Sequence, residues 1–225
     1  MANFSNKSRF SFCLPPKGVL EPNGPDDPLL YYYHPVVGSL YRSRIKQALS
    51  LLTQPYESIL ELGFGSGVMM PTLNTIGKKV SGIDSHSNPL KVTNNLKKIG
   101  INASLTRGDF FDTHYQKESF DLVVAISVLE HIRDIERAIE RVYYLLRPGG
   151  HFLVGMPRVN NFMVTAFNAI GYHNIQAHHI TNHMEFLRAS NKYFKLISFA
   201  KIPSWAPMFA GLYFNALLSK RANKA

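Results

Sequence analysis

Three carboxylates and three glycines carry the first chemistry that can be read in this chain. Glu61 is followed by Leu62-Gly63-Phe64-Gly65-Ser66-Gly67, and the apolar run Ser58-Ile59-Leu60 leads into it. The pattern reads as a short buried strand, a glycine-rich turn and a helix. Glycines in such a turn let backbone N–H groups approach a ligand that any Cβ would block. A dinucleotide fingerprint is spaced G-x-G-x-x-G and sets a pyrophosphate on the helix N-terminus. Here the third glycine comes one residue early, and a carboxylate stands two residues before the first. A carboxylate at that place suits a cationic ligand better than a pyrophosphate. Asp84 ends the apolar segment Lys79-Val80-Ser81-Gly82-Ile83, 17 residues after Gly67. There a parallel α/β unit presents an acceptor to a ribose diol, and Ser85 follows it directly. Asp109 ends a third segment, Ala103 to Phe110.

The segments that follow keep the same rhythm. Phe120-Asp121-Leu122-Val123-Val124-Ala125-Ile126-Ser127 reads as a fourth strand, followed by Val128-Leu129-Glu130-His131-Ile132 and a helix. Leu145-Leu146-Arg147-Pro148-Gly149-Gly150 then leads into strand His151-Phe152-Leu153-Val154. In order and spacing these segments resemble the class I S-adenosylmethionine-dependent methyltransferases, in particular the type 11 domain. The resemblance is strong over residues 56–157 and looser over 30–200. It implies a doubly wound, mostly parallel α/β sheet of the Rossmann-like kind. It also implies S-adenosyl-L-methionine as methyl donor, whose ammonium and sulfonium match the carboxylate reading. By the same resemblance, Glu61, Gly63, Gly65 and Gly67 surround the methionine end. Asp84 and Ser85 belong to the ribose, Asp109 and Phe110 to the adenine, and Ile126 and Ser127 to the methionine arm.

The elements that must position these residues are those of one α/β domain, which suits 225 residues. Residues 1–28 are rich in Pro, Gly, Asn and Ser and read as an irregular arm. Residues 29–203 read as the methyltransferase domain and 204–225 as a separate apolar and basic segment. Apolar positions at helical spacing over residues 38–53 predict a helix before the first strand. There Arg42, Arg44 and Lys46 read as a solvated face rather than as the alternative, an anion site. Residues 159–171 and 181–191 read as helices, and Lys195 to Ile202 as the sixth strand. The family implies a seventh, antiparallel strand. Pro207 and Gly211 speak against one in Ser204 to Ser219, so that stretch reads as an apolar helix ahead of Lys220 and Arg221.

Methyl transfer from a sulfonium needs mainly alignment of donor and acceptor, and a base where the acceptor is an alcohol or an ammonium. His131 follows the fourth strand, and His178 and His179 lie where similar enzymes build the acceptor pocket. These three are the candidate catalytic residues, with His34, His183 and Tyr31 to Tyr33 as further bases. His179 and His183 are spaced i, i+4, but no third ligand accompanies them, so no metal is expected. The aromatic run Tyr31-Tyr32-Tyr33 could shield a sulfonium by cation–π contact. After the fourth strand Ala125-Ile126-Ser127-Val128 replaces the [N/D]-P-P-[Y/F] element of amino methyltransferases acting on bases. Cys13, the one cysteine, excludes C5-cytosine chemistry, which needs a cysteine near that strand.

A net charge of +10 favours an anionic partner. The expected acceptor is an oxygen or nitrogen on a small molecule or lipid. An anionic membrane surface would be met by the C-terminal segment, and that segment could equally form a homodimer seam. Nucleic acid is the less favoured partner. An RNA-directed methyltransferase and a non-catalytic cofactor-binding scaffold are the alternatives. A single cysteine, no secretory leader and no run of 18 apolar residues predict a cytoplasmic protein, peripheral at most to a membrane.

Overall fold

The computed structural model describes residues 9–24, 27–158, 180–204 and 211–222. Their strands form one seven-stranded sheet in the order β3-β2-β1-β4-β5-β7-β6. The strands are β1 (Tyr56–Leu62), β2 (Gly77–Asp84), β3 (Ser104–Arg107), β4 (Phe120–Ile126), β5 (Leu146–Pro157), β6 (Phe194–Ile202) and β7 (Tyr213–Lys220). The first five pair in parallel, and β7 runs antiparallel to both β5 and β6. The helices are α1 (Leu29–Tyr32), α2 (Gly38–Leu49), α3 (Met70–Ile76), α4 (Pro89–Lys97), α5 (Ile135–Leu145) and α6 (His183–Ser190).

Successive strand residues face opposite sides of a sheet, and the central strands are apolar on both. In β4, Leu122 and Val124 join the layer of Ile45, Leu49, Met70, Leu73 and Leu96 from α2, α3 and α4. Val123 and Ala125 join the opposite layer with Ala138, Ile139 and Val142 of α5 and Phe186 of α6. Helix starts follow local chemistry. Asn88 caps α4 by accepting from the Lys91 N–H at 3.2 Å, with Pro89 in its first turn. Asn182 and Glu185 close a capping box on α6.

One expectation is overturned. The apolar C-terminal segment is not a helix lying beside the domain, because Tyr213–Lys220 is the strand β7, inserted between β5 and β6. A boundary at residue 203 therefore cuts through the sheet. Seven of its eight residues are buried, so the apolar–polar alternation that marks a half-exposed strand is missing. Gly211 precedes β7 and does not interrupt its ladder, and Pro207 lies outside the described residues. The apolar surface offered to a lipid or a dimer partner is instead shared between the two core layers, Leu217 in one and Phe214, Ala216 and Leu218 in the other. No helix among the described residues is long and apolar enough to cross a membrane. The helix expected at 159–171 also lies outside the described residues, whereas those expected at 38–53 and 181–191 correspond to α2 and α6.

Candidate functional site

The strand order reverses between β1 and β4, which is where open parallel sheets bind ligands at their carboxyl ends. Glu61 and the glycine turn leave β1 at this place. The turn runs at positive φ through Gly63 (69°) and Gly67 (82°). A Cβ on Gly63 would stand 2.5 Å from Val128 Cγ2, and one on Gly67 2.6 Å from Val92 Cγ1. Gly63→Ala is therefore expected to destabilise the protein by about 1–3 kcal/mol, from left-handed backbone strain and overpacking together. Urea unfolding of the variant reads this out as a lower midpoint.

Asp84, at the end of β2, locks the turn. Its Oδ2 accepts the Gly65 N–H at 2.9 Å, and its Oδ1 accepts the His86 and Ser87 N–H groups, each at 2.8 Å. Burial alone would raise its pKa, but the N–H donors, Gly65 first, outweigh it and hold the carboxyl below the usual range. Glu61 is in the opposite state. It is 4 % exposed, and its Oε2 has no hydrogen-bond partner. Burial, reinforced by the charge of Asp84, pushes its pKa up to about 8.

The N-terminal arm covers this turn. Its residues 9–24 form neither helix nor strand, yet their polar groups are used. Asn23 Nδ2 donates to the Gly65 carbonyl at 3.0 Å, and Asn23 Oδ1 accepts from the Asn88 N–H at 3.1 Å. Asp27 accepts from Ser66 Oγ at 3.1 Å and from the Leu29 N–H at 2.9 Å.

Across the switch point, Ser127 takes φ +57° just after β4, an uncommon conformation for a non-glycine residue. Its N–H is tied to the Gly155 carbonyl at 2.8 Å. Its Oγ meets Tyr213 Oη of β7 at 2.8 Å and accepts from Arg44 Nη1 at 3.2 Å. Arg44 corrects the reading of α2 as a solvated basic face. Its guanidinium lies 4.1 Å from the Tyr41 ring centroid, 5.3 Å from Tyr213 and 5.9 Å from Tyr32, and its Nε is buried without a partner. The sequence signal was its phase, since Arg44 lies three residues after Tyr41 and four before the buried Ala48. Glu130 follows in a 3₁₀ turn, 2 % exposed. Its Oε2 also lacks a partner.

The remaining predicted residues spread outward. Ile126 is half-buried beside Ser127. Ser85 Oγ meets His86 Nδ1 at 2.9 Å. Asp109 is exposed at the end of the β3 loop, its Oδ1 accepting from the Phe111 N–H at 2.9 Å. Phe110 is 8 % exposed, packed in the layer with Leu60, Leu62 and Ile83, with Phe111 at 4.3 Å between ring centroids. His131 is exposed. His178 and His179 lie outside the described residues. His183, at the start of α6, is held down to about 4 by burial and then by the charge of Arg158. No group of three or more metal-ligating side chains occurs among the described residues.

A methyltransferase domain model matches residues 60–154. A ubiquinone biosynthesis O-methyltransferase of Serratia proteamaculans is 26% identical over 98 residues, which are 42% of this chain and 40% of that protein. The chain thus aligns with well under half the length of that relative. A protein of the same name from Chelativorans sp. is 25% identical over 182 residues, 78% of this chain and 68% of its own. Among solved structures, the PH0226 protein of Pyrococcus horikoshii superposes with a TM-score of 0.65 at 17% identity, covering 84% of this chain and 95% of that one. The N-methyltransferase NodS of Bradyrhizobium japonicum, in complex with S-adenosyl-L-homocysteine, gives 0.62 at 19% identity, covering 88% and 93%. The sheet order, the acid-led glycine turn and the matched residues agree on a methyltransferase domain over residues 60–154 of this chain.

Proposed function

We propose that the protein transfers the methyl group of S-adenosylmethionine to a hydroxyl oxygen of a small organic acceptor. One observation carries the donor half of this reading. A buried carboxylate oxygen, Glu61 Oε2, and a buried guanidinium nitrogen, Arg44 Nε, both stand without partners on elements that meet at the switch point. Unpaired buried polar atoms are costly unless a ligand completes them. The methionyl end of the cofactor carries an ammonium for the first and a carboxylate for the second. Asp84 keeps lone-pair capacity on Oδ2 for a ribose hydroxyl, and Asp109 keeps its Oδ2 for the adenine amino group. When bound, the cofactor supplies an already activated methyl group, so the protein's task is to hold, shield and align. The tyrosines around Arg44 fit the shielding role.

The choice of oxygen rests on the relatives named for O-methylation in ubiquinone biosynthesis. NodS, named an N-methyltransferase, makes nitrogen the second reading. The lipid-surface reading is weakened at Tyr213–Lys220, which is a sheet strand, while residues 205–210 lie outside the described residues. The test is label transfer from methyl-labelled cofactor to 3,4-dihydroxybenzoate and, in parallel, to a cell extract. Label in an O-methyl ether supports the proposal. Label only in amines transfers it to nitrogen, and cofactor binding with no transfer to either sinks it. Arg44→Met should weaken S-adenosylhomocysteine binding by about tenfold, since one charge-assisted hydrogen bond is lost.

A further inference from the structure

Glu130 is the second buried carboxylate whose Oε2 lacks a partner, and the cofactor contacts above do not use it. It belongs to the turn Leu129–His131, immediately after Ser127 and Val128 at the end of β4. Its main chain is anchored, since the Glu130 carbonyl accepts the N–H groups of Ile180 at 2.8 Å and Thr181 at 3.1 Å. The titratable groups acting on it are Arg44 from α2 and Tyr213 from β7. Those two side chains converge on Ser127 Oγ, at 3.2 and 2.8 Å. Glu130 therefore stands behind the strand end from which a methyl group would be transferred, buried, anchored and without a partner for its free oxygen.

We infer that Glu130 is the group that receives the acceptor's proton, which makes the acceptor a neutral, proton-bearing one such as a phenol or enol. This inference rests on the methyltransferase reading above. The step balances. The acceptor oxygen forms a bond to the methyl carbon, and the carbon–sulfur bond breaks with its electron pair left on sulfur. The O–H proton goes to Glu130. Before the step the site holds a sulfonium and a carboxylate, and after it a neutral thioether and a neutral carboxylic acid. Both charges vanish together in a poorly solvated place, which is the electrostatically favourable direction. Burial already raises the carboxyl to about 8, with Arg44 pulling the other way. Glu130 is thus mostly protonated near neutral pH in the free protein and ionises when a cation arrives beside it.

The sulfonium is that cation, and it distinguishes S-adenosylmethionine from S-adenosylhomocysteine. Both carry the same ammonium, so any proton released at Glu61 is common to the two. Calorimetric titration of the full-length protein at pH 7, in two buffers of different ionisation enthalpy, counts the protons released by each ligand. The expected result is up to one proton more for S-adenosylmethionine. That excess should disappear in Glu130→Gln while S-adenosylhomocysteine still binds, and should persist in Glu61→Gln. Equal proton release from both ligands in the unmodified protein overturns the inference, and so does an excess that survives Glu130→Gln. The wild-type comparison alone decides if the variant does not fold. Failure of the unmodified protein to bind either ligand would instead overturn the methyltransferase reading beneath it.

Discussion

Glu61→Gln is expected to stabilise the free protein at pH 8 while weakening its hold on the cofactor. The folded-state carboxyl titrates near 8, against an ordinary value of 4.5. Between those two pH values the unfolded chain releases this proton and the folded chain keeps it. The native state therefore loses stability as pH rises through the window, by about 1.4 kcal/mol per pH unit at most. A neutral glutamine of the same shape removes that loss. The midpoint of thermal unfolding of the wild-type protein should fall from pH 6 to pH 8 relative to the variant. Ligand binding runs the other way. An ammonium needs an ionised partner, so wild-type affinity for S-adenosylhomocysteine should rise up to tenfold per pH unit below pH 8. It should level near pH 8, where the amine of the ligand begins to titrate. The variant should bind weakly, with little of this dependence. A wild-type affinity that stays flat from pH 6 to pH 8 would separate Glu61 from the ammonium.

Asp84→Ala should cost both fold and function. The carboxylate accepts three backbone N–H groups at 2.8–2.9 Å, one in the glycine turn and two in the loop after β2. Removing it leaves these donors without their acceptor, at about 1–3 kcal/mol for each that stays buried, and frees the turn it holds at Gly65. The same side chain is proposed to accept from the ribose. Cofactor affinity should fall by about a hundredfold, with a lower unfolding midpoint, as measured by calorimetric titration and thermal melting. Asp84→Asn separates the two effects. It keeps one acceptor oxygen for the loop but loses the charge, so the melting temperature should recover more than the affinity. Equal recovery of both would make Asp84 a structural residue alone.

The proposed donor half of the site was readable because it is local. Glu61 to Gly67, Asp84 and Asp109 each end a strand in a repeating strand–helix unit, and parallel connectivity alone brings such ends to one edge of the sheet. Their spacing therefore determined the fold class, the position of the crevice and a preference for a cationic ligand. Tertiary structure decided the rest, for two physical reasons. The first is burial on both faces. Tyr213–Lys220 lies inside the sheet, so its side chains show no alternation, and an interior strand cannot be told from an apolar helix by periodicity. The second is long-range convergence. Arg44 meets Ser127 across 83 positions and Ser127 meets Tyr213 across 86, and no spacing rule reaches that far. A basic residue on a helix reads as solvated until the sheet supplies the tyrosines that enclose it. A glutamate next to a histidine draws attention to the histidine until burial shows that the carboxylate, not the imidazole, is the group left without a partner.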